Sequence, residues 1–319
     1  MKKLINDFLN SGTEAQQNKK RLTALILCAT AVILAIALLV LAIGSLALAI
    51  KDKSPADDEN ESGASRIPNG YTTTTFDAAQ ISTGALLLLD ADHPYAGSAP
   101  SVVLFSGHET RPLTPNKEVI YSIGGIDKLS ATADTVESFN AMIADFYADE
   151  TVGGDDCLYI SSAYDMTGSN QKGEVYKAGT VIGLSYYVDF NTDPTNIQSI
   201  YDVEKYEWLY DNAYKYGFVQ ASTEEGKENL FRYVGVAHAT AMHNNNKTFA
   251  EYLTLVQERS YKAPLSVSVK NSAGDTESYS IYYLAAGSEL IVPTKWAYEV
   301  SGDNVGGYIV TVNKSKAAS

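Results

Sequence analysis

The chain is poor in cysteine, histidine and charge. Of its 319 residues two are Cys and four are His, and charged residues make up 19%. Cys28 lies in an apolar run and Cys157 stands alone beyond it, so no disulfide can close within the C-terminal body, which must stand on its core. About 250 residues are available for that core, which is ample. Basic residues are scarce too, with 24 Lys and Arg against 38 Asp and Glu and a formal charge of −14. Lys2, Lys3, Lys19, Lys20 and Arg21 fall in the first fifty positions with only Asp7 and Glu14, leaving 19 basic against 36 acidic residues in the rest. So acidic a surface repels nucleic acid and anionic headgroups, which excludes a nucleic-acid partner. Gly153-Gly154 and Gly306-Gly307 lack the lysine and spacing of a phosphate loop.

No charge occurs between Leu22 and Ile50 either, and there absence becomes a signal. At about 1.5 Å per residue the run exceeds the ~30 Å hydrocarbon core of a bilayer. It is about twice the ~7–15 residues of a signal-peptide apolar region, although Ala47-Leu48-Ala49 offers small residues for cleavage. The sequence therefore predicts a transmembrane anchor over 22–50. Lys19, Lys20 and Arg21 abut its start, whereas Lys51 and Lys53 are soon diluted by Asp57, Asp58, Glu59 and Glu61, so residues 1–21 are expected in the cytoplasm and the remainder outside the cell. Residues 51–71, polar and rich in turn formers, read as a flexible linker.

An α+β body is expected after the linker. Leu86 to Leu89, ended by Asp92-His93-Pro94, reads as a buried strand. Thr135-Val136-Glu137-Ser138 can start a helix with Phe139, Met142, Ile143 and Phe146 on one face. A second helix is expected over 203–216, with Tyr206, Leu209, Tyr210 and Ala213 on one face and Gly217 as its stop, and a third over about 235–242. Strands are expected at 157–161 and 184–190. Beyond Val256 the alternation in Leu265-Ser266-Val267-Ser268-Val269 and Tyr308-Ile309-Val310-Thr311-Val312 predicts a C-terminal β section, dividing the body into 72–256 and 257–319. Of the 22 tyrosines, Tyr186, Tyr187, Tyr206, Tyr210, Tyr214, Tyr216, Tyr282 and Tyr283 fit either a groove for sugar or peptide or ordinary core and β positions.

Several pieces, in order, resemble one family. Trp208-Leu209-Tyr210-Asp211-Asn212-Ala213-Tyr214-Lys215-Tyr216-Gly217-Phe218 and Arg232-Tyr233-Val234-Gly235-Val236-Ala237-His238-Ala239 are similar to the C-terminal half of the VanY-type D-alanyl-D-alanine carboxypeptidases. Leu86 to Tyr95 resembles that family's opening strand, Ile160 to Gln171 its Ser-Gly-Tyr-Arg…Gln segment and Phe249 to Leu253 its closing helix, so the resemblance covers about 84–256. It implies a zinc peptidase that trims terminal D-alanine from peptidoglycan stem peptides. Zinc would be held by the His and Asp of Ser-x-His-x-x-Gly-x-Ala-x-Asp and by the His of Glu-Pro-Trp-His, whose Glu is the general base. Three such ligands and an open position for water are what zinc hydrolysis requires.

Carried over residue by residue, the implied site is largely emptied. Asp189 fits the motif's Asp, but the first His then falls on Ile182, or on Thr180 when Gly183 is taken as the motif glycine. Leu230 stands at the second His, and Glu228 is one residue out of step as a remnant base. Asp165 replaces the Arg that grips the substrate carboxylate. His93, His108, His238 and His243 offer no substitute set, since His238 and His243 are five apart and off one helix face. Ser161 and Ser162 lack a base partner, and Cys157, on an expected strand, reads as inert.

These residues predict a membrane-anchored, extracellular, carboxypeptidase-like protein without catalysis or cofactor, binding peptidoglycan stem peptides or envelope proteins through Asp189, Arg232, Tyr164, Gln171 and Tyr187. Two alternatives stand beside it. One is an active enzyme with an atypical zinc site around Asp189, and the other is a structural surface protein that binds partners through its β tail.

Overall fold

Apolar periodicity of 3.6 and of 2 accounts for most of the elements found. In chain order they are β1 (Tyr71–Thr74), β2 (Val103–Leu104), β3 (Tyr121–Ile123), β4 (Leu129–Ala131), α1 (Ala133–Ala148), β5 (Leu158–Ser162), β6 (Tyr164–Asp165), β7 (Val181–Asp189) and β8 (Asp193–Ser199). There follow α2 (Glu207–Asn212), β9 (Phe218–Gln220), β10 (Leu230–Tyr233), α3 (Val236–Asn245), α4 (Phe249–Gln257), β11 (Leu265–Lys270), β12 (Thr276–Ala285), β13 (Leu290–Pro293), β14 (Trp296–Gly302) and β15 (Gly307–Ala317). The structure is a computed structural model that describes residues 67–105, 121–123, 128–149, 158–167, 173–189, 192–271 and 274–318. The expected anchor at 22–50, most of the linker, His108, Cys157 and Gln171 lie outside the described residues. None of the described helices is long and apolar enough to cross a membrane.

Strand β7 is the hub of a six-stranded sheet ordered β3-β5-β7-β10-β9, with β8 also on β7. Only β3 and β5 run parallel. Because side chains alternate along a strand, β7 and β10 serve two environments. Ile182, Leu184 and Phe231 point to one face, where they pack with Phe139, Met142, Ile143 and Phe146 of α1 and Leu209 of α2. Each such side chain contributes about 1.5–3 kcal/mol on leaving water, so this layer supplies much of the fold's stability. The opposite face carries Gly183, Leu230 and Arg232 and is free to build a site.

Helix α1 starts at Ala133, two residues before the expected start, and Thr132 at its N-cap makes no side-chain capping bond. The 203–216 segment is a 3₁₀ turn, the short α2 and a second 3₁₀ turn, not one helix, and Gly217 ends it at φ +83°. A Cβ there would lie 2.8 Å from the Tyr233 ring and 2.9 Å from the Gly235 backbone, so crowding as well as dihedral freedom requires glycine. The Leu86–Leu89 run is buried but is not a strand. Its amides are met elsewhere, Leu86 N by Ser301 Oγ at 3.0 Å and Leu88 N by Asp303 O at 2.9 Å. An apolar run cannot disclose whether a neighbouring strand exists to pair it.

The C-terminal β section forms an antiparallel sheet, β11-β12-β15-β14, within the same compact unit, Arg66–Ser319. Val267, Val269, Ile281 and Ile309 pack it against Ala237, Tyr252, Leu253 and Val256 of α3 and α4. Buried His238 ties the layers together, its Nδ1 2.6 Å from Tyr252 Oη and its Nε2 2.7 Å from Thr311 Oγ1. Burial pushes its pKa down to about 3 and holds the ring neutral.

Candidate functional site

The free face of the six-stranded sheet is the floor of a cleft of about 1590 Å³. Ser161, Ser162, Leu230 and Arg232 line the floor, Leu88 to Asp92 and Glu174 to Tyr176 form walls, and Lys247 to Glu251 at the start of α4 close one end. Consecutive serines would normally face opposite ways, but a register shift between Ile160 and Ser162 presents both to the cleft. Ser162 Oγ lies 2.9 Å from Tyr176 Oη. Gly183 sits opposite Leu230 in the ladder, and a Cβ on it would fall well inside van der Waals contact of Ser162 Oγ. Leu230, 8% exposed, joins Tyr176 and Val181 in a small apolar cluster.

Charge in the cleft is mostly engaged. Lys177 and the Tyr95 amide hold the Glu174 carboxyl below its usual range, and the Thr248 amide and hydroxyl do the same for Glu251. Asp90 meets His93 at 2.8 Å and Glu224 meets Lys227 at 2.6 Å. Arg232 differs. It is 5% exposed, stacks its guanidinium 4.0 Å from the Phe249 ring centre and donates through Nη2 to Leu87 O, with no carboxylate beside it among the described residues. Burial lowers its pKa to about 10, which leaves it cationic at neutral pH.

Of the described residues expected to bind a ligand, Arg232 lines the cleft, whereas Tyr164, Tyr187 and Glu228 do not; Ser161, Ser162 and Leu230 line it as well. Asp189 ends β7 opposite Asp193, six residues from Gly183, or about 20 Å along a continuous strand. Ile182, the first-His position in that frame, points into the core away from Leu230. Tyr187 is buried with its ring 5.2 Å from Tyr159, Tyr164 on β6 neighbours Tyr95, and Glu228 lies beside Tyr210 and off the cleft. Asp165 also turns away, accepting from Thr167 N at 2.8 Å and Thr167 Oγ1 at 2.6 Å, so it presents no carboxylate to a ligand. Of the two readings open to the tyrosines, the structure follows the core one. Tyr186, Tyr206, Tyr210, Tyr214, Tyr216, Tyr282 and Tyr283 belong to the hydrophobic cores, and Tyr176 is the tyrosine that lines the cleft among the described residues. No sequence signal marked Tyr176 or Lys247, and Phe249 was marked only as the start of a closing helix; the fold brings them to one cleft from distant positions.

The described residues thus form a mixed α+β fold with a one-sided cleft over a sheet. No protein-family model matches the chain. It is 26% identical over 284 residues to a D-alanyl-D-alanine carboxypeptidase of Enterococcus faecium, with 82% of this chain and 84% of that protein covered. In fold it is similar to the vancomycin-resistance D,D-dipeptidase VanXYg, solved with a D-Ala-D-Ala phosphinate analogue, with TM-score 0.55, 18% identity and coverage of 76% of this chain and 99% of that one. The zinc-bound D,D-pentapeptidase VanY overlaps more weakly, with TM-score 0.37 and 15% identity over 53% of this chain and 98% of that one. The chain is thus similar along most of its length to a D-alanyl-D-alanine carboxypeptidase, in line with the VanY-type family that its motifs resemble.

Zinc, implied by that family, does not fit the residues present. The position of the second histidine is Leu230 in an apolar cluster. Gly183, the motif glycine nearest to it, puts the first histidine on Thr180, whose buried Oγ1 has no partner, and the aspartate on Tyr187. A neutral hydroxyl is a poor replacement for imidazole. His238 is enclosed in the α3–α4 layer, His243 stacks 3.8 Å from Tyr214, and His93 holds Asp90. Among the described residues no three His, Cys, Asp or Glu side chains are grouped to hold a metal.

Proposed function

We propose that this protein is a membrane-anchored, extracellular relative of the D-alanyl-D-alanine carboxypeptidases that binds peptidoglycan stem peptides without hydrolysing them. Leu230 carries the reading. Where a zinc peptidase places an imidazole, an alkyl side chain packs against Tyr176 and Val181 on the cleft floor, and among the described residues no group of ligands is assembled in its stead. The cleft itself persists, with polar walls and a buried cation that suit a short peptide. Residues 22–50 hold the domain in the membrane and 51–71 space it toward the wall.

Two measurements on the full-length chain in detergent test this. Metal analysis after dialysis against zinc is expected to find no stoichiometric zinc, and incubation with a pentapeptide stem is expected to release no D-alanine while titration detects binding. Stoichiometric zinc with D-alanine release would establish a working peptidase instead. Protease treatment of intact cells is expected to free a fragment beginning within 51–71, and protection of that stretch would overturn the topology.

A further inference from the structure

We infer that Arg232 is the receptor for the free carboxylate of the bound peptide, taking over the task of the arginine that Asp165 has replaced. This rests on the stem-peptide reading and adds the atom that recognises the ligand. A buried guanidinium usually has a carboxylate or several carbonyls around it, because an unpaired internal charge is costly. Arg232 has a single acceptor, Leu87 O, through Nη2. Its Nε is sealed from solvent and bonds nothing, whereas Nη1 also bonds nothing but is not sealed, which makes it the donor that a ligand in the cleft can reach. Stacking on Phe249 and the bond to Leu87 fix the plane of the fork before any ligand arrives.

The surroundings select the anion. Helix α4 begins beside Arg232, with Phe249 and Ala250 lining the cleft, so its first amides add positive potential. Asp90, Asp92, Glu174, Glu224 and Glu251 stand around the rest of the cleft and disfavour a second negative charge. One small monoanion fits this pattern, and a phosphodiester polymer does not. Phe249 against the cation, and Leu230, Met242 and Val219 elsewhere in the lining, give the cleft apolar surface suited to a small side chain.

Calorimetric titration of the full-length chain with N-acetyl-D-alanyl-D-alanine as free acid and as C-terminal amide tests the assignment. The acid is expected to bind and the amide to bind at least tenfold more weakly, with Arg232→Gln removing the difference. Should Arg232→Gln fail to fold, the acid and amide comparison on the unaltered chain decides. Equal binding of acid and amide would overturn the role of Arg232 and leave the stem-peptide reading intact. Binding of neither would overturn that reading, and the assignment with it. Competition by methyl phosphate as strong as by acetate would overturn the selection of carboxylate.

Discussion

Replacing Gly183 by Ala probes the cleft floor directly. Gly183 is not among the glycines with positive φ, so the substitution acts through space, not dihedral strain. The added methyl would overlap Ser162 Oγ and would lie 3.1 Å from Leu230 Cδ2 and 3.2 Å from Ser161 Oγ. Relief requires Ser162 to leave Tyr176, which costs about 1 kcal/mol of hydrogen bonding. Overpacking of this kind adds about 1–3 kcal/mol. A loss of about 2–4 kcal/mol follows, or roughly 4–16 °C at ~2–4 °C per kcal/mol for a domain of this length. Urea unfolding followed by tryptophan fluorescence should show a lower midpoint at unchanged slope. Pairing the change with Ser162→Ala removes the overlapping oxygen and leaves Leu230 Cδ2, the end of a flexible side chain, as the nearest obstacle. The double variant should then be little less stable than Ser162→Ala alone, a coupling of about 1 kcal/mol or more. Additive losses, or no loss from Gly183→Ala, would refute the close approach of β5 to β7 at this point.

Three further outcomes are expected. Because burial lowers the pKa of His238 from 6.5 to about 3, the unfolded chain takes up a proton that the native one refuses. Its contribution is complete above pH ~6.5 and declines toward pH ~3 by at most about 1.4 kcal/mol per unit, so His238→Gln should flatten the urea-midpoint profile between pH 6.5 and 4, and an unchanged slope would contradict this. Thr248 and Glu251 form a reciprocal capping box on α4, with Glu251 Oε2 accepting from Thr248 N at 3.0 Å, so Thr248→Ala should cost about 1 kcal/mol in the same assay. Asn304 adopts φ +59° and its Nδ2 donates to Leu88 O at 3.1 Å and Pro94 O at 3.1 Å, which ties down a cleft wall. Asn304→Ala should therefore be less stable than Asn304→Gly by about 1 kcal/mol, the cost of a left-handed conformation.

The parts legible in the sequence were those set by local periodicity. Phe139, Met142, Ile143 and Phe146 announced α1 because one apolar face must be buried, and all four are. The alternation at 265–269 and 308–312 announced β11 and β15 for the same reason. The cleft was not legible in this way. Its lining comes from Leu88, Ser161, Tyr176, Arg232 and Phe249, which share no period and meet only through the pairing of β5, β7 and β10. Arg232 was accessible to sequence reading because it sits inside a contiguous motif. Asp189 rested on spacing alone, which says nothing about the path of the chain between the motif positions, and it ends β7 six residues beyond Gly183.

The two main cores explain how such a scaffold tolerates change at its cleft floor. One packs the sheet on α1 and the other packs the C-terminal sheet on α3 and α4, and neither uses Leu230 or Val181. The cleft floor could therefore change without loss of the fold, and an apolar residue there adds stability that a zinc ligand would not. Burying a leucine contributes about 1.5–3 kcal/mol. Leu230→His exchanges that for an imidazole beside Tyr176 and Val181, and is expected to lower stability by about 2 kcal/mol. Excess zinc should not restore the loss, because Thr180 and Tyr187 provide no second and third ligand, and binding that stabilises would appear as a concentration-dependent rise in melting temperature. Such a rise in Leu230→His alone would mean that a latent metal site survives around the cleft, and the misfit to zinc would then rest on one side chain instead of three.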